Sequence, residues 1–238
     1  MPGIITHYIC GQAAQHAAEP EALKMIRPYQ HLYNLGTQGP DVFFYYFPGL
    51  LKKHMRDLGL LMHKRCFGAF IGEMASFMLD ENLPKDIQSV LFSYTSGFLT
   101  HYAMDVSAHP YVYFKTGTRQ KGDRARAIKY SVNHRRFENA IDLLMLNLMS
   151  NKIPSENKLW QLIRVDAQPA QVAAGAVSRA IKNVYGRDVS PGDIHKAMSY
   201  MTNITRILQS RNELGNLMDL KDNLTLDEEA KYLYARPG

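Results

Sequence analysis

Apolar residues recur every three or four positions through most of this chain, and this helical period is the feature that most limits its possible folds. The clearest case is the segment 124–150, where Ile128, Val132, Ile141 and Leu148 follow the helical spacing. Sustained alternation of apolar and polar residues, which is typical of a half-buried strand, does not occur in the sequence. The sequence therefore predicts an all-α protein built as a multi-helix bundle.

Three earlier segments show the same spacing, at residues 12–33, 50–80 and 84–108. Asn, Gly and Pro residues between positions 34 and 41 predict a loop after the first helical segment. Pro110 predicts the end of the third segment. The third segment is rich in apolar residues and starts from polar ones. We expect it to be the central helix of the core.

The last third of the chain also carries signals for helix starts. Ser190 precedes a proline in the pattern of an N-cap, and Thr225 followed by Glu228 makes a capping box. No internal repeat or low-complexity tract divides the sequence. We therefore expect one helical domain over residues 1–238, with residues 155–238 as a helical C-terminal extension of unknown role.

Composition narrows the function only slightly. Hydrophobic residues make up 46% of 238, enough for a substantial core, and the formal net charge of +6 mildly favours anionic partners. The two cysteines, Cys10 and Cys66, are far apart and form no CxxC pattern, which excludes a thiolate metal site of that type. Any metal ion would therefore be bound by histidine and carboxylate.

The N-terminus has no basic stretch followed by a long apolar run, so it does not resemble a secretory signal. Polar residues interrupt every apolar stretch well before the roughly 20 residues that a membrane-spanning helix needs. We therefore expect a cytoplasmic protein without a transmembrane segment.

The segment from His101 to Pro110 is the most informative for chemistry. His101 and Asp105 are four residues apart, so on a helix their side chains lie on one face and can bind the same metal ion. His109 follows after another four residues. Three candidate ligands thus come from nine consecutive residues.

A second pair, His134 and Glu138, repeats this spacing in the next predicted helix. Either pair alone is more often a surface ion pair than a metal site. Together, on neighbouring helices with apolar flanks, they suit metal ions held between facing helices. A charged group on an apolar helix face must be paired or bound to metal.

Three separate motifs resemble one known family. These are the start from His7 to Gly11, the run from Tyr33 to Asp41, and the segment from His101 to Pro110. They resemble the zinc-dependent phospholipase C family, whose fold is shared with the S1/P1 nucleases, and the resemblance covers about residues 4–150. It implies a helical bundle of the phospholipase C/P1 nuclease type with two or three zinc ions in a cleft.

The resemblance also implies a role for each motif residue. Asp41 matches an aspartate that binds zinc and is proposed to act as general base, so it is our catalytic candidate. His63 looks like the next ligand. His101 and Asp105 look like the central pair, with Asp105 bridging two metal ions.

Two further groups complete the implied ligand set. His109, His134 and Glu138 match the ligands of a separate zinc ion, and His7 looks like the N-terminal histidine ligand. The complete set of predicted metal ligands is His7, Asp41, His63, His101, Asp105, His109, His134 and Glu138.

Two assignments have alternatives. His54 also lies downstream of Asp41, although Leu58 and Gly59, just before His63, favour His63 as the ligand. Secreted family members use a mature N-terminal tryptophan as a ligand, whereas this chain begins with Met1 and Pro2. We expect the amine of Met1, the amine of a processed Pro2, or water to take that place.

The function that the resemblance implies is zinc-dependent hydrolysis of a phosphodiester, with the zinc ions activating water and phospholipid-like molecules as substrates. The alternatives are an S1/P1-like nuclease or phosphoesterase, and a non-catalytic metal-binding helical protein. No stable nucleic-acid partner is expected, and the sequence leaves the oligomeric state open. An HD-type phosphohydrolase is excluded, because none of the nine histidines is followed by aspartate.

Aromatic residues follow Asp41 directly. Phe44 and Tyr45 in this run are our candidates for contact with an apolar part of the substrate, although ordinary core packing also explains such a run. The basic segment 121–129 is more typical of a solvated helix start than of a headgroup site.

Overall fold

The computed structural model describes residues 3–49, 51–117, 124–150 and 158–209, and no strand occurs within these ranges. Their regular structure is helical, which confirms the all-α prediction. The α-helices are α1 (Ile4–His16), α2 (Pro20–Ile26), α3 (Gln30–Gly36), α4 (Leu51–Met62), α5 (Phe67–Met78), α6 (Lys85–Thr116), α7 (Arg124–Ser150), α8 (Leu159–Leu162), α9 (Ala167–Tyr185) and α10 (Pro191–Gln209), and 3₁₀ turns lie at Arg27–Tyr29 and Gly39–Tyr45.

The first predicted helical segment, 12–33, is divided in the structure. Helix α1 already begins at Ile4, and prolines separate the elements that follow it. Pro20 occupies the first position of α2, and Pro28 lies inside the first 3₁₀ turn. Because proline has no amide hydrogen, it is well suited to the first turn of a helix and is unfavourable in the helix interior.

Helix α3 continues to Gly36, so the first three residues of the predicted loop are helical. Asn34 can adopt the helical conformation because its side chain is hydrogen-bonded to other parts of the chain. Its Oδ1 accepts hydrogen bonds from the side chains of Gln12 and Gln30, and its Nδ2 donates to the Leu162 carbonyl. The side-chain amide of Asn34 therefore does not compete for the backbone hydrogen bonds of the helix.

Pro110 does not end its helix, so that prediction is wrong. Helix α6 passes through the proline and ends at Thr116, 32 residues from its start. The lost bond is the one to the carbonyl of Val106, a residue whose side chain is exposed, and Pro110 is exposed as well. An unpaired carbonyl on that side of the helix is open to water, which lowers the cost of the proline.

Two other predictions are confirmed. Helix α7 has the predicted bounds, and α10 begins as expected, with the Ser190 hydroxyl accepting a hydrogen bond from the Asp193 amide at 3.0 Å. The capping box at Thr225 and Glu228 lies outside the described residues. No helix among the described residues is both long and apolar enough to cross a membrane.

The chain forms two compact units. Unit 1 contains the described parts of 1–9, 103–157 and 207–238, and unit 2 contains the described part of 10–102 together with 158–206. Helices α1, α6 and α10 each contribute residues to both units. In unit 1, Val112 and Leu146 are among the fully buried side chains.

The core of unit 2 depends on a close crossing of α3 and the first part of α6. A Cβ atom at Gly36 would lie 2.3 Å from the Tyr94 carbonyl oxygen, and one at Gly97 would lie 2.2 Å from the Tyr33 carbonyl oxygen. Only glycine permits this backbone contact. The crossing fixes the end of α3, from which the chain runs through Thr37 into the second 3₁₀ turn.

Candidate metal centres

Three predicted ligands meet in unit 2. Asp41 comes from the second 3₁₀ turn, His63 follows the last residue of α4, and His101 lies in α6. The Nε2 atom of His63 is 3.1 Å from Oδ1 of Asp41 and 3.4 Å from Nε2 of His101. One ligand atom of each residue lies within 4.8 Å of the others, and His101 and Asp41 are buried.

Backbone carbonyls determine which ring nitrogens face this group. Nδ1 of His63 lies 2.6 Å from the Gly59 carbonyl oxygen, and Nδ1 of His101 lies 3.1 Å from the Thr37 carbonyl oxygen. A carbonyl only accepts hydrogen bonds, so each Nδ1 carries the hydrogen. In the neutral rings each Nε2 therefore presents a lone pair, which is the form that binds metal.

Two imidazole lone pairs and a carboxylate oxygen thus approach one another. Acceptor atoms so placed repel each other unless a proton or a cation lies between them. Two ligands about 2.05 Å from a tetrahedral zinc ion lie ~3.3 Å apart. The separations of 3.1 and 3.4 Å agree with that spacing, and the nitrogen and oxygen donors suit zinc.

A second group lies in unit 1, where α6 and α7 supply His109, His134 and Glu138. The rings of the two histidines stack with their centroids 6.1 Å apart. Nδ1 of His109 is 2.9 Å from the Asp105 carbonyl oxygen, so by the same argument its Nε2 is the candidate ligand atom. Nε2 of His134 is 2.7 Å from Oε1 of Glu138. That distance is typical of a direct hydrogen bond, so a metal ion would have to separate these two atoms slightly.

Hydroxyl and aromatic side chains surround His134. The hydroxyl oxygens of Tyr130 and Thr116 lie 3.1 and 3.3 Å from its Nδ1, and the Tyr113 ring stacks on it. Burial, together with nearby positive charge that includes His109, lowers the pKa of His134 to about 4. The imidazole is therefore neutral at neutral pH, as a metal ligand must be.

The remaining two predicted ligands form a pair in unit 1. Nε2 of His7, in α1, lies 3.4 Å from Oδ1 of Asp105, in α6. The His7 side chain is fully buried and the Asp105 side chain is 9% exposed. The amine of Met1 or Pro2, expected to complete this set, lies outside the described residues.

His63 and His54, the two alternatives for one ligand, differ in their surroundings. His63 contacts Asp41, whereas His54 belongs to no group of candidate ligands among the described residues. Phe44 stacks on the His63 ring at a centroid distance of 5.7 Å, and Tyr45 next to it is partly exposed. The side chains of the basic segment 121–129 lie outside the described residues.

Several residues around these groups were not predicted. The carbonyls of Thr37 and Gly59 orient histidines, and Tyr130 and Thr116 contact His134. Asp142, a buried carboxylate on α7, contacts the first turn of α1. Tyr130 and Asp142 lie four residues from a predicted ligand on α7, and that spacing was the one available signal.

Comparison with known proteins identifies one family. The family model described as zinc dependent phospholipase C matches residues 6–187, which is most of the chain. The searches of curated proteins and of solved structures find no match. The family match and the groups of histidine and carboxylate ligands together support a zinc-dependent, phospholipase-like hydrolase.

Proposed function

The chain belongs to the zinc-dependent phospholipase C family, and from this premise we propose that it hydrolyses phosphodiesters, with phospholipid-like molecules as its substrate class. One observation carries the proposal: Asp41, His63 and His101 bring three acceptor atoms within 4.8 Å of one another. Such a set is unfavourable in the absence of a cation and favourable around zinc. The net charge of +6 is in keeping with an anionic substrate.

In this proposal His63 and His101 bind zinc through Nε2, and their Nδ1–H groups hold the rings in place by bonding to backbone carbonyls. Zinc, when bound, polarises phosphoryl oxygens and lowers the pKa of water towards about 7. Asp41 orients the attacking water and accepts its proton. The burial of the Asp41 side chain keeps bulk water away from that carboxylate.

With the other predicted ligands, the chain would hold two or three zinc ions in all. His109, His134 and Glu138 bind one ion. Asp105, one helical turn from His101 along α6, would hold zinc through its carboxylate as the proposed bridging ligand. The family resemblance implies these roles, and the ligand types and their spacing on a continuous helix are in keeping with them.

Phe44 and Tyr45 are proposed to contact the apolar part of the substrate. Phe44 stacks on the His63 ring, so its own ring lies beside a proposed ligand. An aromatic face in that position contributes apolar area next to the scissile phosphodiester. Shortening of Phe44 is expected to weaken substrate binding more than turnover.

A matched pair of variants tests the proposal. The purified full-length protein is loaded with zinc, and phosphocholine release from phosphatidylcholine is measured for wild type, His63→Ala and His54→Ala. We expect His63→Ala to lose at least about 100-fold of the activity, since loss of a supporting residue alone typically costs 10–100-fold. His54→Ala is expected to stay near wild type.

The same preparation separates the alternatives. Single-stranded DNA offered in parallel detects a nuclease, which would cleave it faster than the lipid. A protein that holds zinc but hydrolyses neither substrate would favour a non-catalytic metal-binding role. Equal loss of activity in the two histidine variants would contradict the assignment of His63.

A further inference from the structure

A buried carboxylate outside the proposed ligand set contacts the start of α1. Oδ1 of Asp142 accepts hydrogen bonds from the Thr6 amide at 2.9 Å and from the Thr6 hydroxyl at 2.5 Å. Oδ2 accepts one from the Ile5 amide at 3.1 Å. Amides in the first turn of a helix have no partner within the helix, so Asp142 caps α1 from a different helix, α7.

The chain fits closely around this carboxylate. A Cβ atom at Gly3 would lie 2.0 Å from Oδ2 of Asp142, so glycine is required directly before α1. The Gly3 carbonyl in turn accepts a hydrogen bond from the His7 amide at 3.2 Å. The contacts on both sides of the first turn therefore determine where α1 begins and how it is rotated.

The rotation of α1 matters because His7 is the next residue after Thr6. Its Nε2 lies 3.4 Å from Oδ1 of Asp105, and its side chain is fully buried. A small turn of α1 about its axis would move the imidazole away from that carboxylate. Hydrogen bonds to both the amide and the hydroxyl of Thr6 oppose such a turn.

Asp142 is not placed as a metal ligand itself. Its oxygens accept hydrogen bonds from N–H and O–H groups, and the hydrogens of these groups repel a cation. It also belongs to none of the candidate ligand groups among the described residues. Its contacts point to an effect on the site that passes through α1.

We propose that Asp142 is a positioning residue: it anchors the first turn of α1 and thereby holds His7 beside Asp105, ready to bind a metal ion. The metal-binding consequence rests on the proposed function. The anchoring itself does not, because it requires only the hydrogen bonds between Asp142 and the residues Ile5 and Thr6.

Two variants remove the anchor to different degrees. Asp142→Ala removes every hydrogen bond that this carboxylate accepts, and Thr6→Val removes only the bond from the Thr6 hydroxyl while keeping a similar shape. Asn147→Ala, at an exposed position five residues further along α7, is the control. Amide hydrogen exchange at Ile5, Thr6 and His7 is measured by NMR in the chelated full-length proteins, and zinc affinity is measured by titration against a competing chelator.

We expect faster exchange at these amides in Asp142→Ala, a smaller change in Thr6→Val and none in Asn147→Ala. Zinc affinity at one site is expected to fall about 10–100-fold in Asp142→Ala, the effect typical of residues that orient ligands. In a His7→Ala background the same substitution should cause no further loss, because its effect passes through His7. A general structural role would instead lower zinc binding in both backgrounds.

The outcomes are distinguishable. Unchanged exchange at Thr6 in Asp142→Ala would overturn the anchoring role, and unchanged zinc affinity would overturn the link to His7. A wild-type protein that binds no zinc would overturn the proposed function together with the metal-binding part of this inference. Should Asp142→Ala fail to fold, Thr6→Val decides by the same two measurements.

Discussion

Replacing Asp142 by asparagine removes a carboxylate whose pKa is raised to about 6 from an ordinary value of 3.8. Burial is the main cause, and the hydrogen bonds from Thr6 and Ile5 lower the pKa by less than burial raises it. A rise of about two pKa units corresponds to ~3 kcal/mol, because one unit is equivalent to about 1.4 kcal/mol. The ionised side chain is therefore costly to bury even with these hydrogen bonds.

The sign of the pH dependence follows from linkage. Because the pKa of Asp142 is higher in the folded protein, the folded state keeps a proton that the unfolded chain releases as pH rises above about 4. This stabilisation is complete below pH 3.8 and is lost as pH rises through 6. Asparagine does not titrate. The free energy of unfolding of wild type should therefore fall by ~2–3 kcal/mol relative to Asp142→Asn between pH 4 and pH 7.

Urea unfolding at pH 4, 5, 6 and 7 measures this difference. A chelator in every sample keeps the ligand sites of both proteins free of metal, and taking the difference cancels the titration of all other groups. The control Asn147→Ala should differ from wild type by the same amount at each pH. A wild-type minus Asp142→Asn difference that stays flat, or that grows with pH, would refute the argument.

Three further predictions concern zinc and the core. Asp105→Asn should bind at least one zinc ion fewer than wild type, since an amide lacks the charge of a bridging carboxylate; elemental analysis measures this, and an unchanged zinc content would rule out the bridging role. Gly97→Ala should lower the free energy of unfolding by about 1–3 kcal/mol, because its Cβ would meet the Tyr33 carbonyl. Gly72→Ala is the matched control, since a Cβ there contacts nothing, and urea unfolding should find it unchanged or up to about 1 kcal/mol more stable. Chelation should lower the melting temperature, because a ligand present at 1,000 times its Kd stabilises by ~4 kcal/mol; identical melting curves with and without chelator would contradict zinc binding.

The pairs of candidate ligands could be predicted from the sequence because an α-helix repeats every 3.6 residues. A histidine and a carboxylate four positions apart, such as His134 and Glu138, must lie on one helix face wherever that helix packs. The length of α7 was predictable for the same reason. The prediction that Pro110 ends its helix was wrong. The free-energy cost of a proline inside a helix depends on how exposed the surrounding helix is, and that exposure is set by the tertiary structure.

The orientation of the candidate ligands could not be predicted from the sequence. The hydrogen-bond partners that select Nε2 of His63 and His101 are the carbonyls of Gly59 and Thr37. Every residue has a carbonyl, so no residue type marks this role. The pairing of Asp142 with Thr6 spans 136 positions of the chain and becomes visible only when α1 and α7 are seen together.

Helix α7 presents proposed ligands and also anchors α1, because residues spaced four apart on a helix point in gradually changing directions. Along α7, His134, Glu138 and Asp142 are spaced four residues apart, and each such step turns the side chain by about 40° since a helical turn contains 3.6 residues. His134 therefore faces His109 on α6, whereas Asp142, about 80° further round, faces the first turn of α1. The same rigid helix that presents two proposed ligands thereby also anchors the helix that carries a third, His7.

The double variant Asp142→Ala/Leu143→Asp tests this geometry by moving the carboxylate one position along α7. Its zinc affinity should be as low as that of Asp142→Ala, because a one-residue step turns the carboxylate by about 100° away from α1. Recovery of wild-type zinc affinity in that double variant would contradict the geometric argument.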